Sequence, residues 1–170
     1  MVLGSILPSI YTRRLYDFIH DNPTIEMWSA RYVNDPRVIS RDVDFVSINA
    51  SLAVDFLGQC ASETINGRYY SSSGGQSDFA RGAAYSAGGQ SFIVLQSTAK
   101  GGALSRVVPQ LSPGDVVTTV KNTVDMVVTE YGVAELLGRT IRERTQALID
   151  VAHPDFRDEL TRTAREMRYI

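Results

Sequence analysis

The chain has 170 residues, 44% of them hydrophobic and 21% charged, and 17 Lys and Arg against 19 Asp and Glu leave a net charge of −2. That length suits one domain able to bury most of its apolar surface, and the charge balance gives no ground for nucleic acid as a partner. Its single cysteine, Cys60, excludes an intrachain disulfide; with no histidine beside it, it reads as a packed thiol and not a nucleophile.

No stretch reaches the roughly 18 apolar residues of a membrane span, and the opening Met-Val-Leu-Gly-Ser-Ile-Leu-Pro lacks the basic start and length of a signal peptide. A cytoplasmic protein without a membrane partner is expected. Residues 8–20 predict a helix, with Tyr11, Leu15, Phe18 and Ile19 on one stripe and Asp21-Asn22-Pro23 as its stop. Residues 25–28 predict a short strand, and Tyr32-Val33-Asn34-Asp35-Pro36 breaks regular structure, because proline pushes its predecessor from helical angles.

Residues 45–56 alternate apolar and small polar side chains, a strand signal that Gly58 ends. A weaker strand at 60–65 leads into the Asn66-Gly67 turn. Residues 69–79 are too poor in large side chains to pack and predict a loop, with a helix from about Phe79 to Ser86 that Asp78 caps and Gly88-Gly89 closes. Residues 91–95 predict a buried strand. Beyond a second small-residue loop at 97–102, strands are expected at 104–108, 116–120 and 126–129, and helix from Ala134 onward with breaks at Gly138 and His153-Pro154. The late arginines, interleaved with Glu143, Asp158, Glu159 and Glu166, read as a solvated helix face. The alternation argues one α/β domain, a layered open sheet with flanking helices.

Two loops have the composition of ligand loops beyond strand ends. Ser73-Gly74-Gly75-Gln76-Ser77 offers backbone N–H groups to an anion, or is an ordinary turn. Ser97-Thr98-Ala99-Lys100-Gly101-Gly102 adds a lysine able to meet a phosphate, or a merely solvated one. Phosphate-loop and dinucleotide fingerprints are missing, and no cluster has metal-ligand spacing, so no metal is expected. Glu130, at a strand end, reads either as a functional carboxylate or as an acceptor for neighbouring backbone N–H groups; His153 reads as a helix break.

Seven motifs in order, from Tyr32-Val33-Asn34-Asp35-Pro36 and Ser47-Ile48-Asn49 through Val54-Asp55-Phe56-Leu57-Gly58-Gln59, Gly74-Gly75-Gln76-Ser77-Asp78-Phe79-Ala80-Arg81-Gly82-Ala83, Ser97-Thr98-Ala99-Lys100 and Val127-Val128-Thr129-Glu130-Tyr131-Gly132-Val133-Ala134 to Ala152-His153-Pro154-Asp155-Phe156-Arg157, resemble the acetyl-CoA hydrolase/transferase C-terminal domain. The resemblance implies a CoA-transferase-like fold and acyl-CoA:carboxylate CoA transfer or acyl-CoA hydrolysis, with coenzyme A as the thioester carrier. It implies a glutamate nucleophile acting by covalent catalysis, Asn34 at the reacting carbonyl, Gly74 and Gly75 meeting CoA near the thioester, Ser71 at another CoA contact and Lys100 at the phosphates or pantetheine. The family's His-x-Glu-Met-like motif would precede the segment resembling Leu3-Gly4-Ser5, and Glu26, Glu63 and Glu130 do not take its place. The chain is therefore expected to be the C-terminal half of an enzyme, inactive alone, with acyl-CoA, a small carboxylate, the missing N-terminal half and a second copy as partners. The alternative is a non-catalytic acyl-CoA or anion-binding domain.

Overall fold

The computed structural model describes residues 12–65 and 67–170. Its elements in chain order are α1 (Arg13–Ile19), α2 (Ala30–Val33), α3 (Pro36–Ile39), β1 (Val46–Ala50), β2 (Ala53–Asp55), β3 (Cys60–Ala61), β4 (Thr64–Ile65), β5 (Arg68–Tyr69) and α4 (Gln76–Tyr85). There follow β6 (Gln90–Val94), β7 (Thr98–Ala99), β8 (Leu104–Ser105), β9 (Val107–Val108), β10 (Met126–Thr129), β11 (Gly132–Glu135), α5 (Ile141–Asp150) and α6 (Pro154–Glu166).

The main sheet has the order β1-β6-β10-β11. Its first three strands run parallel, in a register from Val46 opposite Gln90 to Ala50 opposite Val94, and β11 folds back on β10 as a hairpin. A second sheet has the order β3-β2-β9, and β4-β5 and β7-β8 are separate two-stranded hairpins. Alternation along the strands sends Ser47, Ser91, Ile93, Val127 and Ala134 inward. There Ile93, Leu95, Val127 and Ala134 join Val54, Phe56, Leu136, Leu148, Ile149, Leu160 and Ala164 in one apolar core. Helix α4 lies on β1 and β6, and α3 lies on α4, where Gly82 leaves room for the Ile39 side chain.

The mixed α/β architecture with flanking helices is the expected one, and β1, β6, β10, α5 and α6 stand where the sequence places them. Other segments differ. Residues 25–28 hold only an isolated bridge at Glu26. Residues 116–120 are not a strand: among them only Thr119 makes a bridge, to Cys60, and their β-branched side chains brace other elements. Residues 132–135 form β11, which takes in Ala134 and Glu135 where helix was expected, because Tyr131-Gly132 reverses the chain onto β10 before helix begins. Asp78 does not cap α4; Gly75 occupies that position and Asp78 lies in the first turn. The expected stripe position Tyr11, the expected helix start at Pro8, the segment Leu3-Gly4-Ser5 and the turn residue Asn66 lie outside the described residues.

Candidate functional site

The ends of the parallel strands collect the chemistry. After α4 the chain turns within residues 86–89, where Gly88 adopts φ +74°, and enters β6, so α4 runs opposite to that strand. Its N-terminus therefore stands at the carboxyl ends of β1 and β6, where open sheets leave a crevice. Two side chains anchor it there. Gln76 Nε2 donates to Thr119 Oγ1 (3.0 Å), and Ser77 Oγ donates to the Thr118 carbonyl. These are the bonds that the extended 116–120 segment exists to make.

Gly75 caps α4 without a side-chain acceptor; the first-turn N–H groups of this ten-residue helix have no acceptor within it, and that of Gln76 makes a long bond (3.4 Å) to the Ser73 carbonyl. Gly74, at φ +53°, has open space around it. Asn34 closes one side of this corner. It ends α2, its own N–H donating to the Ala30 carbonyl (2.9 Å), and a Cβ placed on Gly75 would stand 2.7 Å from Asn34 Nδ2 and 2.9 Å from the Phe79 ring. Asn34 Oδ1 is buried and has no hydrogen-bond partner, an orphan acceptor of the kind that native proteins rarely leave. Next to it Asp35 caps α3 through Arg37 N and accepts from Arg37 Nε and Nη2; those bonds pull its carboxyl down to about 2. Asn34, Asp35, Arg31 and Asp78 line a shared cleft.

The second loop has different physics. Lys100, Gly101 and Gly102 all take positive φ (52°, 67° and 94°), forming the tip of the β7-β8 hairpin. Lys100 lines a cleft with Thr98, Gly101, Gly102, Arg106 and Glu130. Among the described ion pairs none involves Lys100. Glu130 reaches from the end of β10 to accept from Ser97 N (2.9 Å) and Ser97 Oγ (2.5 Å). The Ser97 hydroxyl, with backbone N–H bonds beside it, holds the Glu130 carboxyl below its ordinary range against a desolvation effect. Of the two readings left open for Glu130, backbone acceptance is present, but its partner lies 33 positions away and not next door.

Sequence reasoning missed Arg106. Its N–H donates to Ser97 O (2.8 Å) and its carbonyl accepts from Val54 N (2.9 Å), which pins it beside the lysine loop, while its Nε is buried without a partner. The signal was its place in Ser105-Arg106-Val107-Val108-Pro109, directly after the loop. Ser71 is exposed just past β5, its N–H and hydroxyl turned to the Glu63 and Ser62 carbonyls (3.2 and 3.3 Å). Ser62 Oγ in turn bonds Ala50 O at the end of β1. The structure thus brings Asn34, Gly74 and Gly75 into one corner. Lys100 lies at the same end of the sheet but lines a separate cleft. Cys60 is fully buried, and burial, with the Asp55 carboxylate adding, pushes its thiol above the ordinary range.

Residues 12–164 match the family model of the acetyl-CoA hydrolase/transferase C-terminal domain. The chain belongs to this family. It is 56% identical over 159 residues to a succinyl-CoA:cyclohexane-1-carboxylate CoA transferase of Geobacter metallireducens, a match covering 94% of this chain and 36% of that protein. It is 51% identical to a 4-hydroxybutyrate coenzyme A transferase of Clostridium kluyveri, covering 88% of this chain and 35% of that one. The crystal structure of RipA from Yersinia pestis superposes with a TM-score of 0.86 at 44% identity, over 92% of this chain and 35% of RipA. The chain spans about a third of the length of the relatives it matches.

Proposed function

We propose that this chain is the CoA-facing part of an acyl-CoA:carboxylate CoA-transferase whose nucleophilic glutamate comes from outside these 170 residues. The observation that carries the reading is the Asn34–Gly75 corner: a side-chain amide packed on the glycine that opens a helix, beside first-turn N–H groups that have no acceptor within the helix. A developing oxyanion is stabilised by preorganised N–H donors of this kind. Gly74 and Gly75 leave the backbone bare, so a thioester can come within hydrogen-bond reach of the α4 N-terminus. Asn34 positions the reacting carbonyl from the other side. Lys100, the N–H groups of the left-handed turn and Arg106 receive the phosphates of the CoA tail, and Ser71 lines the approach. The carboxylate acceptor enters the same corner as the thioester. Relatives that carry the words CoA transferase and CoA-transferase support this reaction over hydrolysis, although an acetyl-CoA hydrolase of Candida albicans matches at 32% identity over 134 residues.

The test uses a joined protein, in which the part of the Geobacter metallireducens relative outside its matched 36% is fused to this chain in the relative's own order. Transfer of CoA from acetyl-CoA and succinyl-CoA to a panel of carboxylates is expected from the joined protein and not from the chain alone. Asn34→Ala in the joined protein is expected to lower kcat while the melting temperature holds. Robust turnover by the 170-residue chain by itself contradicts the proposal.

A further inference from the structure

Among the described residues, the main sheet is covered on one face only. On the other face Ile48 is 69% exposed, Val133 54%, Val46 50% and Val94 39%. The register makes these one patch: Ile48 lies opposite Phe92 and Phe92 opposite Met126, while Ala50, Val94, Val128 and Val133 follow one another across all four strands. Parallel strands are ordinarily buried on both faces, because the connections that make them parallel lay helices there. Three parallel strands with a bare apolar face are an incomplete layer.

The edge of the sheet is incomplete as well. Phe45 O accepts from Gln90 N and Ser51 N donates to Val94 O, so the odd-numbered residues of this segment turn their backbone groups toward β6. Alternation then points the N–H and C=O groups of Val46 and Ile48 out to the open side of β1. An edge of this kind accepts a further strand. Separately, α1 has no fully buried residue, and Phe18, Met27 and Trp28 are largely exposed among the described residues.

We infer that the β1 edge and the Ile48–Val94–Val133 face are the docking surface for the remaining part of the enzyme, which adds a strand beside β1 and lays apolar cover on the bare face. The occupant is argued from length: the relatives carry nearly two-thirds of their residues outside the segment this chain matches, and a contiguous apolar sheet face of this extent marks a buried contact in the complete protein. The inference rests on the CoA-transferase reading only for the identity of that partner segment.

Hydrogen–deuterium exchange, read on the chain alone and on the joined protein, tests it without any activity. The Val46 and Ile48 amides are expected to exchange at least about tenfold more slowly in the joined protein. Ile48→Glu and, as a second variant on the same face, Val94→Lys are expected to leave the melting temperature of the chain alone unchanged and to lower that of the joined protein. Equal exchange of β1 in both proteins, or equal melting shifts, overturns the inference. So does protection of β1 that appears in the chain alone and rises with its concentration, which would make a second copy the occupant. A joined protein that transfers CoA with β1 unprotected sinks the docking surface alone; one with β1 protected and no transfer sinks the catalytic reading alone.

Discussion

The two glycine-rich loops have nearly the same composition, yet they are built by different forces. The Gly74-Gly75 loop is short of space: its second glycine faces Asn34 and Phe79 at contact distance, and Gln76 and Ser77 bolt the following helix to residues 118 and 119. The Lys100-Gly101-Gly102 loop has space to spare, since nothing lies within 4 Å of where a Cβ would stand on either glycine, and backbone angle alone selects them. One loop is a rigid corner suited to holding a reacting group. The other is a tethered flap suited to a charged tail, and its tether is Glu130.

The sharpest break of this comparison is the same substitution made in both loops. Gly75→Ala drives a methyl into Asn34, so CoA transfer by the joined protein is expected to fall by about a hundredfold through displacement of the positioning groups. Overpacking should also cost the chain about 1–3 kcal/mol, read by urea titration. Gly101→Ala meets no atom and carries only the left-handed backbone penalty, about 1 kcal/mol. Matching losses from the two variants would erase the distinction.

Next in size are the cations of the flap. Lys100→Ala and Arg106→Ala are each expected to raise KM for acetyl-CoA about tenfold, the worth of one charge-assisted bond, with kcat retained. A thioester of pantetheine without the nucleotide should show no such rise. If both substrates suffer equally, Lys100 and Arg106 do not meet the phosphates.

The smallest effect is the pH dependence of the tether. The Glu130 carboxyl is held below its ordinary range, so its contribution is complete above the ordinary carboxylate pKa and is lost as pH falls through the lowered value. Protection of the 97–102 amides, taken relative to the intrinsic exchange rate at each pH, should therefore fall in acid, slightly because the group is exposed. Glu130→Gln should remove that pH dependence.

Much of this was legible in the sequence where one force dominates. Residues 91–95 and 126–129 are rich in β-branched and aromatic side chains and bury alternate positions, so burial and propensity agree, and both became strands. His153-Pro154 set the start of α6, and Thr140 with Glu143 forms a capping box at the start of α5. The misreadings arose where a local preference served a distant partner. Val116-Val117-Thr118-Thr119-Val120 has strand composition, but its polar groups are used by Cys60, Gln76 and Ser77. Ala134 and Glu135 favour helix, yet the hairpin register with Val127 and Met126 outweighs that preference. For the proposed site, Asn34 and Gly75 were named through the family resemblance, and their contact, between residues 41 positions apart in the chain, is invisible to spacing. Arg106 was passed over because an arginine between Ser105 and Val107 looks like any strand residue until its Nε is seen buried.

The central claim is that both loops meet one thioester cofactor. Backbone amide shifts of the 170-residue chain, followed by NMR as CoA is added, test it most directly. The account predicts concerted shifts at Gly74–Ser77 and at Lys100–Gly102 with a common dissociation constant. Shifts at only one loop, or at neither while other amides respond, would contradict it.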